Sequence, residues 1–127
     1  MSVKYVLVER SNPQKPETPK KWYATAKSTG EVTLRKLGKE IAEGSTTVSD
    51  TDVLAVLNDL TRLLRRHLEN GRIVRFGDFG SFQMSLSSAG AETQAKFNAS
   101  HIKGSKVIFR PGIDLREMQN NLKFEKH

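Results

Sequence analysis

Residues 50 to 82 constrain the fold more than any other stretch. They join a long amphipathic helix to a tight pair of strands: DTDVLAVLNDLTRLLRRHLENG, then RIVRFGDFGSF. Val53, Val56, Leu57, Leu60, Leu63, Leu64 and Leu68 recur at three- and four-residue spacings, which gathers them on one broad face that must be covered. Ser49, with Asp52 three residues on, predicts a capping box, and Gly71 is placed to end the helix. Ile73, Val74 and Phe76 then read as a short apolar strand. Phe79-Gly80 turns it into a second, in which Phe82, Met84 and Leu86 alternate with Ser81, Gln83, Ser85 and Ser87. A helix of about 20 residues is about 30 Å long. In a chain of 127 residues its apolar face exceeds what one short helix and a small sheet can cover, so the pattern implies a partner subunit.

The basic charge is unevenly placed. Of a net +7, residues 60 to 110 carry nine Lys or Arg against three acids, Glu69, Asp78 and Glu92. Residues 34 to 52 carry three basic residues against Glu40, Glu43, Asp50 and Asp52. A surplus confined to the helix end and the sheet is the footprint of a polyanion-binding face. The absence of cysteine excludes disulfides, thiolate chemistry and cysteine-ligated zinc. No basic segment leads into a long apolar run, so neither a signal peptide nor a membrane span is expected, and the cytoplasm is the expected location.

The remainder of the chain reads as follows. Residues 3 to 10 (VKYVLVER) form a strand, and Pro13, Pro16 and Pro19 hold the next segment in an extended loop. Trp22 to Ala26 form a second strand, ended by the turn Ser28-Thr29-Gly30. Residues 1 to 32 are therefore expected as a two-stranded extension packed on a domain of residues 33 to 127, since two strands alone are not stable. Thr33 caps a short helix containing Leu34, Leu37 and Ile41, stopped by Gly44 and Ser45-Thr46-Thr47. This pair of helices does not suit the groove-reading helix-turn-helix, because the second begins with Asp50 and Asp52 and carries its arginines at the far end. After the strand pair a polar stretch, SSAGAETQAKFNASHIKGS, leaves the sheet as an arm or long loop and returns as the strand Lys106 to Arg110. Pro111-Gly112 breaks that strand. Asp114 starts a last short helix with Leu115, Met118 and Leu122 on one face, and Glu125 to His127 are expected to fray. The class is α+β.

Nothing in the chain is arranged for catalysis. His67, His101 and His127 have no neighbouring nucleophile, and Asp50, Asp52 and Asp59 suit a helix start and a solvated face rather than a cation. Gly77-Asp78-Phe79-Gly80 lacks the following Lys-Ser/Thr of a mononucleotide loop. No enzyme activity, cofactor, metal or small-molecule substrate is expected. The basic constellation is more coherent. Arg62, Arg65 and Arg66 close the helix, Arg72 and Arg75 follow it, and Lys103, Lys106 and Arg110 flank the returning strand. Such residues can neutralise spaced phosphates, while amides around Gly77, Gly80 and Ser81 can approach a ligand closely. Arg62 and Arg65 can equally pair with Asp59 and Glu69 across helix turns.

GRIVRFGDFGSF and FRPGIDLREM, in that order after a helical hairpin, resemble the bacterial histone-like (HU)/integration host factor family, and more narrowly its Bacteroides-type variant with an N-terminal extension. The resemblance covers residues 33 to 122. It implies a histone-like fold, with a helical hairpin, an antiparallel sheet with a β-arm and a short C-terminal helix. It also implies an intertwined homodimer on double-stranded DNA, in the cytoplasm and associated with the nucleoid. The family's phosphate-contacting turn falls on Phe79, Gly80 and Ser81, its basic returning strand on Lys103 and Lys106, and its approach to the Pro-Gly turn on Arg110 and Pro111. With Arg72, Arg75 and the arm's one cation, Lys96, these are the expected DNA contacts. The arm departs from the family pattern: there is no proline between Pro19 and Pro111, so the family's wedge between base steps is missing. Lys15, Lys20, Lys21 and Lys27 of the extension can compensate electrostatically. The competing reading is a dimeric interaction protein of the same fold with little affinity for DNA.

Overall fold

The computed structural model describes residues 1–44 and 47–127, and these form two compact units, Met1–Thr33 with Met118–His127, and Leu34–Glu117. In the first unit β1 (Val3–Arg10) pairs antiparallel with β2 (Lys21–Lys27). A C-terminal strand, β6 (Phe124–Lys126), pairs parallel with the other edge of β1, giving the order β2-β1-β6. The expected fraying of Glu125 to His127 is therefore corrected. Val3 N donates to Lys123 O at 2.8 Å and His127 N donates to Tyr5 O at 2.9 Å, while Lys4 and Ser2 both hold the Glu125 carboxylate. These bonds to a distant strand outweigh the entropy of a free end, and a reading of local pattern alone could not find them.

The second unit contains the helices α1 (Leu34–Gly44) and α2 (Asp50–Glu69) and a sheet of order β3-β4-β5. Ser45 and Thr46, expected in the turn between the helices, lie outside the described residues. Gly38 is buried where α1 meets α2, facing Leu54. One half of the expected capping box is present, with Ser49 Oγ accepting from Asp52 N at 3.2 Å. At the other end Gly71, φ +75°, follows the Asn70 cap; its N–H donates to Leu68 O and that of Arg72 to His67 O. This two-bond closure satisfies the last carbonyls and needs a residue that tolerates positive φ.

The first strand of the sheet, β3 (Val74–Arg75), is shorter than the expected run from Ile73 to Phe76. β4 (Gly80–Ser88) and β5 (Ile102–Pro111) are longer and pair along their whole length, with one bulge near Ser87 and Ser88. Between them the arm folds into two single 3-10 turns, Gln94–Lys96 and Ala99–His101, capped by Thr93 and Asn98. α3 (Ile113–Asn120) follows β5.

One face of the β3-β4-β5 sheet is apolar, because Val74, Phe82 and Phe109 are successive cross-strand partners, followed by Met84 with Val107. Phe82 stacks edge-on against Phe76 at 5.6 Å and lies 4.9 Å from Phe109, which lies 5.8 Å from Phe79. These four rings form one aromatic cluster. Elsewhere α2 and the sheet leave an open apolar cleft of about 800 Å³, lined among others by Leu64, Leu68, Phe82, Met84, Leu86 and Val107. Among the described residues only Val53 is a buried apolar side chain, and Val56, Leu60 and Leu63 form an exposed stripe along α2.

Candidate nucleic-acid interface

The opposite face of the same sheet is polar. Arg75 pairs with Ser81, and Ser81 with Arg110, so a row of two arginines separated by a serine crosses β3, β4 and β5 on one side. The next same-side pairs along β4 and β5 are Gln83 with Ile108 and Ser85 with Lys106. The middle strand contributes no charge to this face, which keeps its cations apart.

Beside the row lies a recess of about 400 Å³, lined among others by Arg75, Gly77, Asp78, Gly80, Ser81, Arg110, Pro111 and Arg116. Its geometry is locked by backbone bonds. Phe76 N donates to Gly80 O at 2.8 Å and Phe79 N to Phe76 O at 3.0 Å, closing the turn. Gly112 N then donates to Phe79 O at 2.8 Å and Asp114 N to Asp78 O at 3.1 Å, tying that turn to the start of α3. A Cβ at position 80 would stand 2.6 Å from Arg110 O and from the Phe109 ring, and one at position 112 would collide with the Asp78 carbonyl. Glycine at both positions is what allows the two chain segments to meet.

Five of the expected site residues thus come together: Arg75, Gly80, Ser81, Arg110 and Pro111. Phe79 belongs to the same turn, 47% exposed, its ring against Phe109. Lys106 lies on the same face further along the strands, and Lys103 stands at the bulge, where the register slips between Ser87–Gly104 and Ser88–Ile102. Arg72 stands apart, its Nη1 3.0 Å from His67 Nδ1, and Lys96 in the arm pairs with Glu92 at 3.0 Å. Arg62 and Arg65 are in ion pairs with Asp59 and Glu69, as their spacing predicts. Sequence reasoning missed Arg116. It sits six residues after Arg110, in the first turn of α3, and its Nε donates to Gly112 O at 3.4 Å. The helical period after Pro111-Gly112 is the signal that would have returned it to the recess. Among the described residues no ion pair involves Arg75, Arg110 or Arg116, so three guanidinium groups line the recess, and its one acid, Asp78, is in an ion pair with none of them. An arrangement of that kind suits an oxyanion.

A helix pair joined to an antiparallel sheet, apolar on one face and arginine-bearing on the other, defines a mixed helix-and-sheet protein of histone-like type. The chain belongs to the family described as HU domain fused to wHTH, Ig, or Glycine-rich motif, which it matches over residues 1–126. No curated protein sequence matches it. Its fold is similar to the crystal structure of a candidate bacterial DNA binding protein from Bacteroides vulgatus ATCC 8482, with a TM-score of 0.69 at 13% identity over 98% of this chain. The chain spans about half, 47%, of that protein's length. It is also similar to the HU protein of an Anabaena HU–DNA cocrystal, with a TM-score of 0.52 at 18% identity, covering 70% of this chain and 98% of that one. No helix among the described residues is long and apolar enough to cross a membrane.

Proposed function

We propose that this protein is a non-enzymatic architectural DNA-binding protein that holds double-stranded DNA through its backbone phosphates with little sequence preference. The observation that carries the reading is the unpaired arginine row Arg75–Ser81–Arg110, with Arg116 opening onto the same recess. Guanidinium groups spaced on a rigid sheet can neutralise successive phosphates without reading base edges. The solved complex of the Anabaena protein with DNA supports the same partner for this fold. The remaining expected contacts, Arg72, Phe79, Gly80, Lys96, Lys103, Lys106 and Pro111, are ranked behind the row, with Arg72 and Lys96 last because each already has a local partner. Association with the nucleoid follows from this partner.

The binding unit is a homodimer. The exposed stripe Val56, Leu60 and Leu63 and the open cleft beside Leu64, Leu68, Met84 and Val107 leave a single chain with almost no closed core. A second copy, apolar on the same surfaces, supplies the missing cover.

Binding to duplexes of unrelated sequence, measured across salt, tests the proposal. Each phosphate neutralised contributes about 0.9 to the downward slope of log affinity against log salt. Arg75→Gln with Arg110→Gln removes four charges from the homodimer, and should weaken all duplexes alike and flatten the slope by up to about 3.6. A strong preference for one sequence, or affinity indifferent to salt, would refute it. Absence of binding at about 50 mM salt, where phosphate contacts are strongest, would favour the dimeric interaction protein instead.

A further inference from the structure

The N-terminal sheet presents a second cationic face built unlike the first. Lys4, Val6, Val8 and Arg10 of β1 lie on one side of it, opposite Lys27, Thr25, Tyr23 and Lys21 of β2 respectively. Two like-charge pairs, Lys4 with Lys27 and Arg10 with Lys21, therefore face each other directly across neighbouring strands. Like charges in that relation destabilise a sheet. Only one of the four is relieved: Lys4 is paired with Glu125 of β6, its neighbour on the same side. Among the described residues no ion pair involves Arg10, Lys21 or Lys27, and all three are exposed. Glu9, the one acid of β1, lies on the opposite face with Trp22.

Repulsion at the two ends of the hairpin, offset only by Glu125 at the Lys4 end, is relieved when an anion of repeating charge lies along it. Lys4 and Arg10 are six residues apart, about 20 Å at the rise of an extended strand. That span is a run of charges rather than a single ion. Tyr23, 48% exposed, stands between the two pairs, where an aromatic ring can take a base or a sugar. The loop beyond the Arg10–Lys21 end adds Lys15 and Lys20 against one acid, Glu17.

We infer that this face, centred on Arg10, Lys21, Tyr23 and Lys27, is a second binding surface for the phosphodiester backbone of a nucleic acid. It does not depend on the arginine row of the other sheet. A protein with two such surfaces holds two segments of nucleic acid, or two parts of one strand, at once.

The test uses the full chain in an Arg75→Gln/Arg110→Gln background, with a short oligothymidylate and a short duplex as probes. Residual, salt-dependent binding is expected there. Adding Arg10→Gln, Lys21→Gln and Lys27→Gln should lower it at least tenfold in low salt and take about 2 from the salt slope, at about 0.7 per charge on a single strand. The melting temperature should hold or rise, because the removed charges repelled one another. Preferential retention of oligothymidylate, lost on Tyr23→Leu, identifies an unpaired strand as the source of the backbone. Equal retention of both probes, indifferent to Tyr23→Leu, identifies duplex. Residual binding unchanged by the triple substitution overturns the inference, as does a lowered melting temperature, which would mean that the charges serve the fold. Failure of the arginine-row proposal reads out separately, as wild-type affinity in the Arg75→Gln/Arg110→Gln background.

Discussion

The two three-stranded sheets spend their positive charge in opposite ways. In β3-β4-β5 the middle strand offers Ser81, Gln83 and Ser85 to the polar face, so Arg75 and Arg110 are held apart by a serine. In β2-β1-β6 the middle strand is itself charged, and Arg10 and Lys4 meet Lys21 and Lys27 directly. Their other faces differ as well. The first sheet is backed by a cluster of four phenylalanines, whereas the second exposes Leu7, Trp22 and Phe124. The aromatic cluster and the turn bonds hold the backbone from which the arginine row projects. The N-terminal face relies on repulsion and exposure, which favours adaptable contact. Rigid placement and electrostatic tension are two routes to a polyanion surface, and the two surfaces proposed above differ in taking one each.

The largest effect expected separates the units by their dependence on a partner. Leu60, 38% exposed in the single chain, belongs to the stripe that the proposed second copy would cover. Sedimentation of the wild type at micromolar concentration should give twice 14.3 kDa, and Leu60→Asp should yield largely unfolded chain, since core and assembly share one surface. A folded, monomeric Leu60→Asp protein would show that the cleft closes without a partner.

Next in size is the junction that shapes the arginine recess. Gly112→Ala places a methyl group on the Asp78 carbonyl, a backbone atom that cannot yield without opening the turn. A loss of about 3 kcal/mol is expected in chemical denaturation, in the upper range for overpacking. Gly90→Ala, where a Cβ meets nothing, should be nearly neutral and serves as the control.

How much of this was legible depended on whether the cause was local. The bounds of α2, its Ser49 cap and its Gly71 termination follow from spacing and cap chemistry within the segment, and the structure has them near the expected residues. The residues of β1 were readable for the same reason, and those of β2 within one position. Parity along β4 also told that Ser81, Gln83 and Ser85 share one face and Phe82, Met84 and Leu86 the other, whereas the row Arg75, Ser81 and Arg110 needed the pairing between strands. What the sequence withheld was set by contacts between distant segments. β6 exists because Phe124–Lys126 finds the edge of β1, more than a hundred residues away. Arg116 enters the site because Gly112 and Asp114 bond back to the Phe79 turn. The early end of β3 depends on where β4 stops pairing. Like-charge pairing in the N-terminal sheet needed the register itself, since a slip of one residue would have moved every cation to the other side.

A pair of charge exchanges turns the contrast between the sheets into opposite signs. Lys21→Glu puts an acid opposite Arg10 and should stabilise the protein by about 0.5 kcal/mol. Ser81→Lys inserts a cation between Arg75 and Arg110 and should destabilise it by about the same amount. Thermal melts of the two variants against wild type give the comparison. The same sign in both would mean that cross-strand repulsion is not what distinguishes the sheets.

The smallest effect concerns the strand that completes the N-terminal sheet. Hydrogen bonds from Lys4 and Ser2, together with the Lys4 charge, hold the Glu125 carboxyl below its usual value of 4.5. A carboxylate with a depressed folded-state pKa contributes stability that is fully present above the unfolded value and disappears as pH falls through the folded one. The docking of β6 should therefore be firm at neutral pH and loosen only under acid conditions, below about pH 4.5. Glu125 is exposed, so water screens the pair and global stability should hardly register its loss. Local hydrogen exchange is the sensitive measurement. The amides of Val3 and His127, which bond to Lys123 O and Tyr5 O, bracket the strand and should lose protection together as the carboxylate is protonated. Glu125→Gln should show the loosened state already at neutral pH and no further change on mild acidification. Wild-type protection that persists unchanged through the acid range would assign the docking of β6 to its backbone bonds and to Phe124, with the ion pair a bystander.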